Sequence, residues 1–450
     1  MAAEETDLRR SPGPWKVLWR KLLHNRVACT GGVILILLYL SACFAGFISP
    51  YDPVDGDKDS SRAPPALLGS FTVTTTKKPS KTEPGETVDI SERKWEWFAG
   101  GLHFHDETGA FTLRPHVHPI AETEFQDEYG DTNYVFGVAD RTKSLPIEFF
   151  VRDEREHETF SLLGLPGTTI SSHWRLFGVK VPPGSKGARV YLLGSDQAGR
   201  DVFSRLLFGA QISLSVGVVA IIITSTLGMI IGGLSGWFGG WIDLIAMRVT
   251  EVVLSVPDLY LLIVVGGLLR SVRIDGKPLT SRATYMLIIG VLAFVGWAGR
   301  ARVIRGMVLS LRELDYCVAA RALGVPTFRL VVRHILPNTF SFAIVSATLA
   351  IPSYILGEVA LSFLGFGIQE PEASWGNMLR EAQEPAYLLD NPWVVVPGVL
   401  IFLTVLAYNF LGDGLRDAAD PKAVIVRAMK KGLKDAKDED AKKGEGKKAA

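Results

Sequence analysis

The sequence predicts an all-α polytopic membrane protein with about six transmembrane helices and one inserted β-rich domain. Of its 450 residues, 48% are hydrophobic, and the mean hydropathy of +0.22 is too high for a typical soluble enzyme. Apolar runs of membrane-spanning length occur near the N-terminus and through the second half of the chain. A long polar stretch, residues 49–192, separates the first run from the others.

Residues 1–26 form a polar N-terminal segment, which we place in the cytoplasm. The segment holds six lysines and arginines against three acids, and positive charge beside a span favours the cytoplasmic side. Val27–Ile48 follows as the first transmembrane helix, because about 20 apolar residues are enough to cross the hydrocarbon core. The three cysteines of the chain form no readable disulfide framework.

The β-rich insert is predicted over residues 49–192. It contains runs of alternating polarity, such as Asn133–Val138 and Ile147–Arg152, and this period is typical of strands. Thr74–Thr87 is interpreted as a flexible polar loop. Because the insert lies between the first two spans, it is expected outside the cytoplasm.

Two His-x-His pairs in the insert are weak candidates for metal ligands. His103 and His105 form one pair and His116 and His118 the other, with a turn-like Asp106–Gly109 between them. A period of two places each pair on one face of a strand, and antiparallel pairing could bring the four imidazoles together. We prefer a solvated strand face, because nothing adjacent defines a ligand geometry.

Five further spans are predicted in residues 193–415, and residues 416–450 form a basic cytoplasmic tail. An amphipathic interfacial helix within Leu193–Leu214 is expected to lead into the second span. The spans cover about Ile212–Phe238, Val249–Leu269, Tyr285–Arg300, Phe340–Phe366 and Trp393–Leu411.

Three carboxylates fall within or beside these spans: Glu251, Asp258 and Glu358. A carboxylate in lipid is costly unless it is paired or hydrated, so each is a candidate for the transport path. For Glu251 we prefer neutralisation by Arg248, its i,i+3 neighbour. For Glu358 we prefer a hydrogen-bonded structural role near a re-entrant turn. Pro257 is expected to kink the third span.

A GxxxG pair in the second span, Gly228 and Gly232, permits close helix contact in lipid. Packing within this subunit and contact with another subunit are both open from the sequence.

The polar stretch Asp315–Asn338 lies between the fourth and fifth spans. Its first part, Tyr316–Leu323, is alanine-rich and favours a short helix. Gly324 can turn the chain at positive φ. A second short helix through Phe328 is expected to end at Pro337. We therefore predict two short helices at an angle, on the cytoplasmic side.

This layout resembles the cytoplasmic coupling loop of ABC-importer permeases, whose pattern is EAA-x3-G-x9-I-x-LP. Val318 stands where that family has Glu, and His334 stands where it has Ile. By resemblance, the coupling loop spans residues 304–338 and its contact residues are Ala319, Ala320, Arg321, Leu323, Gly324, Arg333, Leu336 and Pro337.

Other landmarks are similar to those of the dipeptide, oligopeptide and nickel permeases, in particular their second, C-type subunit. Gly199, Arg200, Asp201, Ser204 and Arg205 fit a GRD-x2-SR stretch ahead of the second span. The resemblance implies the ABC type I importer permease fold and a bacterial inner-membrane location. It also implies four kinds of neighbour: a second homologous permease, two ATP-binding cassette ATPase subunits, an extracytoplasmic substrate-binding protein and the lipid bilayer.

The expected function is half of the translocation pathway of an ATP-driven importer, with peptides favoured as solutes and nickel left open. The sequence contains no G-x4-G-K-[ST] motif, so ATP would be used by a partner and the chain itself would bind no cofactor. It also has no interleaved basic–aromatic motif for nucleic acid. The alternatives are a membrane-anchored extracytoplasmic enzyme or sensor acting through residues 49–192, and a passive channel.

Overall fold

The computed structural model describes most of the chain, and every structural statement concerns that part. The described residues are 14–57, 61, 63–66, 69–79, 87–97, 103–105, 108–118, 120–126, 132–139, 144–165, 167–179, 189, 191–274 and 277–419.

Thirteen α-helices occur in the described residues. The β-strands of the described residues lie in the insert and in one loop. The helices are α1 (Pro14–His24), α2 (Arg26–Cys43), α3 (Ala45–Ile48), α4 (Val202–Phe238), α5 (Gly240–Ser255), α6 (Asp258–Ser271), α7 (Ser281–Leu311), α8 (Asp315–Ala322), α9 (Thr327–Leu330), α10 (Leu336–Phe363), α11 (Trp375–Leu379), α12 (Pro385–Asp390) and α13 (Val396–Ala419).

Within the described residues, five helical stretches are long and apolar enough to cross a membrane. A sixth span results if α5 and α6, which are bent by 83° at their junction, are counted together. The predicted kink at Pro257 is therefore present and sharper than a simple bend, because the chain leaves helical geometry at Val256. The five stretches are Arg26–Cys43, Val202–Phe238, Ser281–Leu311, Thr327–Phe363 and Pro392–Ala419.

The first predicted span is divided between α2 and α3. Asn25 begins α2, since its side-chain oxygen accepts hydrogen bonds from the backbone N–H groups of Val27 and Ala28 at 3.1 and 3.3 Å. The helix ends at Cys43, and α3 continues to Ile48 after Phe44.

The amphipathic stretch predicted to lead into the second span is continuous with that span. The chain forms one continuous helix of 37 residues, α4, capped by Asp201, which accepts a hydrogen bond from Ser204 N at 2.8 Å. Val202 and Leu206 are buried in the main hydrophobic core with Trp375 and Trp393. The apolar side of this first stretch therefore packs on protein, which sequence amphipathicity cannot distinguish from packing on lipid.

Glycines bring α4 against α7. A Cβ on Gly228 would lie 2.7 Å from Cβ of Arg300, and one on Gly232 would lie 2.4 Å from the carbonyl oxygen of Ala301. Gly236 is similarly close to Arg305. The structure thus selects one of the two alternatives for the GxxxG pair, which is packing within the subunit.

The described part of the insert consists mainly of two four-stranded sheets. The insert strands are β1 (Gly69–Pro79), β2 (Thr87–Trp97), β3 (His103–His105), β4 (Phe111–Val117), β5 (Ile120–Gln126), β6 (Thr132–Ala139), β7 (Leu145–Phe160) and β8 (Ile170–Val179). The first sheet has the strand order β2-β1-β6-β5 and the second β3-β4-β7-β8. Outside the insert, β9 (Arg273–Ile274) and β10 (Lys277–Pro278) pair between α6 and α7.

The two alternating runs found in the sequence, Asn133–Val138 and Ile147–Arg152, lie in β6 and β7. The prediction of a loop at Thr74–Thr87 is wrong for the first part of that stretch. Residues 74–79 continue β1 and pair antiparallel with β2. Threonine is β-branched and fits an extended strand as well as a loop, and strand pairing decides between the two. Residues 80–86 lie outside the described part of the chain.

Substituting Gly232 with leucine is expected to force α4 away from α7 and to destabilise the protein by roughly 1–3 kcal/mol or more, as overpacking does. Gly290→Leu in α7 is the matched control, because no heavy atom lies within 4 Å of a Cβ at that position. Thermal unfolding of the purified chain in detergent measures both: the midpoint falls for Gly232→Leu and stays near wild type for Gly290→Leu. An unchanged midpoint for Gly232→Leu would contradict the packing role.

Candidate functional sites

The segment 315–338 folds as two short helices joined by a glycine turn. Helix α8 ends at Ala322, and Gly324 has φ +77°, the backbone conformation predicted for it. Helix α9 follows at Thr327–Leu330.

Pro337 does not end the second helix, contrary to the prediction. One π-helical turn, Val331–Ile335, connects α9 directly to α10, and Pro337 falls in the first turn of α10. A proline there loses no necessary hydrogen bond because the helical register changes just before it. The short helix and the following span therefore form one helical rod, Thr327–Phe363.

The base of the segment is fixed to the membrane helices. Cys317 is fully buried against Ile304, Val308 and Ile335. The Arg321 guanidinium donates to the carbonyl of Arg312 at 2.5 Å and lies 5.2 Å from the centre of the Trp237 ring.

Arg312 in turn donates to the carbonyl of Gly236 at 3.0 Å. Through Arg321 and Arg312, α8 is hydrogen-bonded to the ends of α7 and α4.

The tip of the segment is exposed and apolar. Leu323 is 84% exposed and Phe328 is 79% exposed. Large exposed apolar side chains grouped on a docked segment are typical of a protein contact surface. Of the predicted coupling residues, Ala319, Arg321, Leu323, Gly324, Arg333 and Pro337 are exposed, while Ala320 and Leu336 are half-buried.

The carboxylates predicted in α5 and α6 are exposed, unlike the third. Glu251 forms the expected i,i+3 ion pair with Arg248, with N and O 2.8 Å apart. Asp258 is exposed in the first turn of α6. The three carboxylates therefore lie in two different environments.

Glu358 is fully buried and accepts two hydrogen bonds. Ser213 Oγ of α4 donates at 2.9 Å and Ser362 Oγ of α10 donates at 2.7 Å. Ser362 Oγ also accepts from Ile368 N at 3.0 Å, and Ser213 Oγ accepts from Trp375 N at 3.2 Å. The carboxylate therefore connects α4, α10 and the turn that follows α10. A role for Glu358 in solute contact stays a prediction.

A charged cluster at the start of α4 was found in the sequence only as a motif. Asp196 pairs with Arg200 at 2.7 Å and with Arg205 at 3.4 Å, and Arg200 also pairs with Glu370 at 3.0 Å. Nearby, burial and the Asp196 charge raise the pKa of Glu381 to about 7. The sequence could not reveal Glu370 and Glu381 as partners, because they lie far along the chain without a matching local signal.

The two His-x-His pairs lie on the paired strands β3 and β4, with His103 opposite His116. The rings of His103 and His118 stack at 4.2 Å, while the buried His116 has Nδ1 2.9 Å from the carbonyl oxygen of Arg114. No group of three or more His, Cys, Asp or Glu in the described chain is arranged to hold a metal ion. Metal binding by these residues, including His105, stays untested.

Protein-family models match two parts of the chain. Residues 13–65 match the N-terminal TM domain of oligopeptide transport permease C, and residues 225–425 match the binding-protein-dependent transport system inner membrane component. The stretch 66–224, which contains most of the insert, lies between the two matches.

Known bacterial proteins align with about half of this chain. The dipeptide transport system permease protein DppC of Bacillus subtilis is 44% identical over 230 residues, which are 51% of this chain and 68% of that protein. The oligopeptide transport system permease protein OppC of Haemophilus influenzae is 38% identical over 233 residues, 52% of this chain and 70% of that protein. The glutathione transport system permease protein GsiD of Pectobacterium atrosepticum is 39% identical over 230 residues, 51% of this chain and 72% of that protein.

These relatives are transport permease subunits and not enzymes. Together with five or six apolar helices, the matches identify a multi-pass inner-membrane protein. The chain belongs to the C-type permease subunits of the peptide ABC importers.

Proposed function

We propose that this chain forms half of the membrane pathway of an ATP-driven importer of short peptides, and that the segment 315–338 transmits movement from a separate ATPase to the spans. The names of the relatives, which refer to dipeptide, oligopeptide and glutathione transport, support the solute class. Nickel stays an expectation from sequence resemblance alone.

The observation that carries the coupling role is an exposed apolar tip on an anchored base. Leu323 and Phe328 project at the tip, while Cys317 and Arg321 fix the base to α7 and α4. A flexible loop would absorb force at such a contact, whereas a docked helix passes it to the spans as rigid-body movement.

The complete importer is proposed to contain this chain, a second homologous permease, two ATPase subunits and an extracytoplasmic binding protein. ATP is bound and hydrolysed by the ATPase subunits, and this chain carries no cofactor of its own. The binding protein delivers the peptide from outside.

In this arrangement the N-terminus, the segment 315–338 and the C-terminal tail lie in the cytoplasm, and the insert lies outside. Six spans place both termini on one side. The lysine and arginine content of residues 1–26 and 416–450 favours the cytoplasmic side for both.

The alternative of an anchored enzyme or sensor is not favoured. Relatives with 38–44% identity are transport permeases, and no nucleophile or paired acid in a catalytic setting was found in the insert sequence.

Leu323→Asp is expected to weaken binding of the ATPase subunits by more than about tenfold, since a charge replaces an apolar anchor at the centre of the contact. Leu389→Asp in α12 is the matched control, because Leu389 is also 84% exposed but lies on a different element. Co-purification of the ATPase with each variant, followed by peptide uptake, measures the effect. Normal ATPase binding by Leu323→Asp would count against the coupling surface.

Thiol labelling tests the orientation. In a chain with Cys29→Ser and Cys43→Ser, a Leu323→Cys thiol is expected to react with an impermeant maleimide in inverted vesicles and not in intact cells. Leu389→Cys should show the reverse. The native Cys317 is fully buried and provides an internal control that reacts slowly in both. Labelling of Leu323→Cys from outside intact cells would refute the orientation.

A further inference from the structure

A cavity of about 500 Å³ lies where the insert meets the permease core. Its walls come from β7 and the β7–β8 connection of the insert, the segment after α3, the outer part of α4, the start of α7 and the loop before α11. The volume is within the range of small-molecule binding sites. The residues of β7, β8 and the connection between them that line this wall lie outside both matched family regions.

The insert side of the cavity is firmly docked on the core. Gly46 of α3 leaves no room for a Cβ, which would lie 1.5 Å from the carbonyl oxygen of Glu158 in β7. Ser161 N, just after β7, donates to the carbonyl of Cys43 at the end of α2 at 2.9 Å.

Arg175 of β8 adds a further bond, donating to the carbonyl of Ser49 at 3.0 Å. These contacts make the cavity a formed feature of the fold.

The core side of the cavity reaches the helices that hold Glu358. Tyr285 of α7 and Ser215 of α4 both line it, and the tyrosine hydroxyl donates to Ser215 Oγ at 2.8 Å. Ser213, two residues earlier on α4, donates to Glu358. A solute in the cavity would therefore sit directly beside polar groups of the membrane helices.

Charge in the cavity wall favours a cation. Four acids line it against two arginines, and Arg175 is already paired with Asp153 at 2.9 Å. The acids are Asp52, Glu156, Glu158 and Glu372.

We propose that this cavity binds the positively charged amino end of a short peptide on the outer side of the permease, so that the insert forms one wall of a solute site. The acids of the wall hold the ammonium group. The choice of peptide as the solute rests on the proposed function.

Tri-alanine is the probe, titrated calorimetrically into the full-length chain in lipid nanodiscs. Saturable binding is expected, with N-acetyl-tri-alanine at least about tenfold weaker, because acetylation removes the charge that the acids recognise. Amidation of the carboxyl end should have a smaller effect. Absence of saturable binding, or equal affinity for the acetylated peptide, would overturn the proposal.

The double variant Glu156→Gln and Glu158→Gln should weaken tri-alanine binding about tenfold. Glu148→Gln on the same strand β7, outside the cavity wall, should not. If the double variant binds like wild type, the assigned wall is wrong.

Protection of a single thiol gives an independent measurement. In the chain with Cys29→Ser and Cys43→Ser, tri-alanine should slow maleimide labelling of Ser281→Cys, which lines the cavity, at least about threefold at saturation. No protection would contradict occupancy of the cavity.

Peptide uptake by the assembled importer is measured separately. If the wild-type complex takes up no peptide, the proposed function is refuted. The binding measurements on the chain alone test the cavity separately.

Discussion

The close approach of α4 to α7 is the contact on which the permease core depends. Gly228 and Gly232 let the two backbones meet, and in lipid such close packing takes the place of the hydrophobic effect as the force between helices. One end of this pair supports the segment 315–338 through Arg312 and Trp237. The other end forms part of the cavity beside the insert. The two functional ends are thus held by one helix pair.

Two buried side chains at the outer end, Arg205 and Glu358, have their hydrogen-bond partners within the protein. Arg205, with 1% of its surface exposed, lies beside Asp196 and donates to the carbonyls of Pro53 and Pro371. Glu358 is hydrogen-bonded by two serines. A buried charged side chain needs ion-pair or hydrogen-bond partners, because an unpaired charge in an apolar interior is very costly. Because Arg205 and Glu358 are already bonded within the protein, we expect other side chains to recognise a solute at the outer end.

Local signals allowed several features to be predicted from the sequence. Gly324 marks a positive-φ turn, Pro257 breaks a span, and period-two runs mark β6 and β7. In each case one residue type or one short period is sufficient. The Arg248–Glu251 pair was predictable for the same reason, since helix geometry alone brings i and i+3 together.

Features that depend on tertiary contacts were not predictable. The amphipathic start of α4 packs on Trp375 and Trp393, and sequence polarity does not specify whether lipid or protein covers it. Pro337 is accommodated by a change of helical register, for which the sequence contains no recognised signal.

The cavity wall joins residues of the insert to residues of α4 and α7. No motif spans that distance, so the solute site proposed for it could be found only from the folded chain.

The continuous rod from Thr327 to Phe363 has a mechanical consequence. A helix is stiff along its axis, so an axial load at Phe328 is carried over roughly 50 Å, at about 1.5 Å per residue. Bending is favoured only where the hydrogen-bond ladder is interrupted, which in this rod is at the π-helical turn Val331–Ile335 and at Pro352 inside α10. Movement that begins at the segment 315–338 would therefore reach Glu358, six residues beyond Pro352, through a helix that can change direction at two defined places.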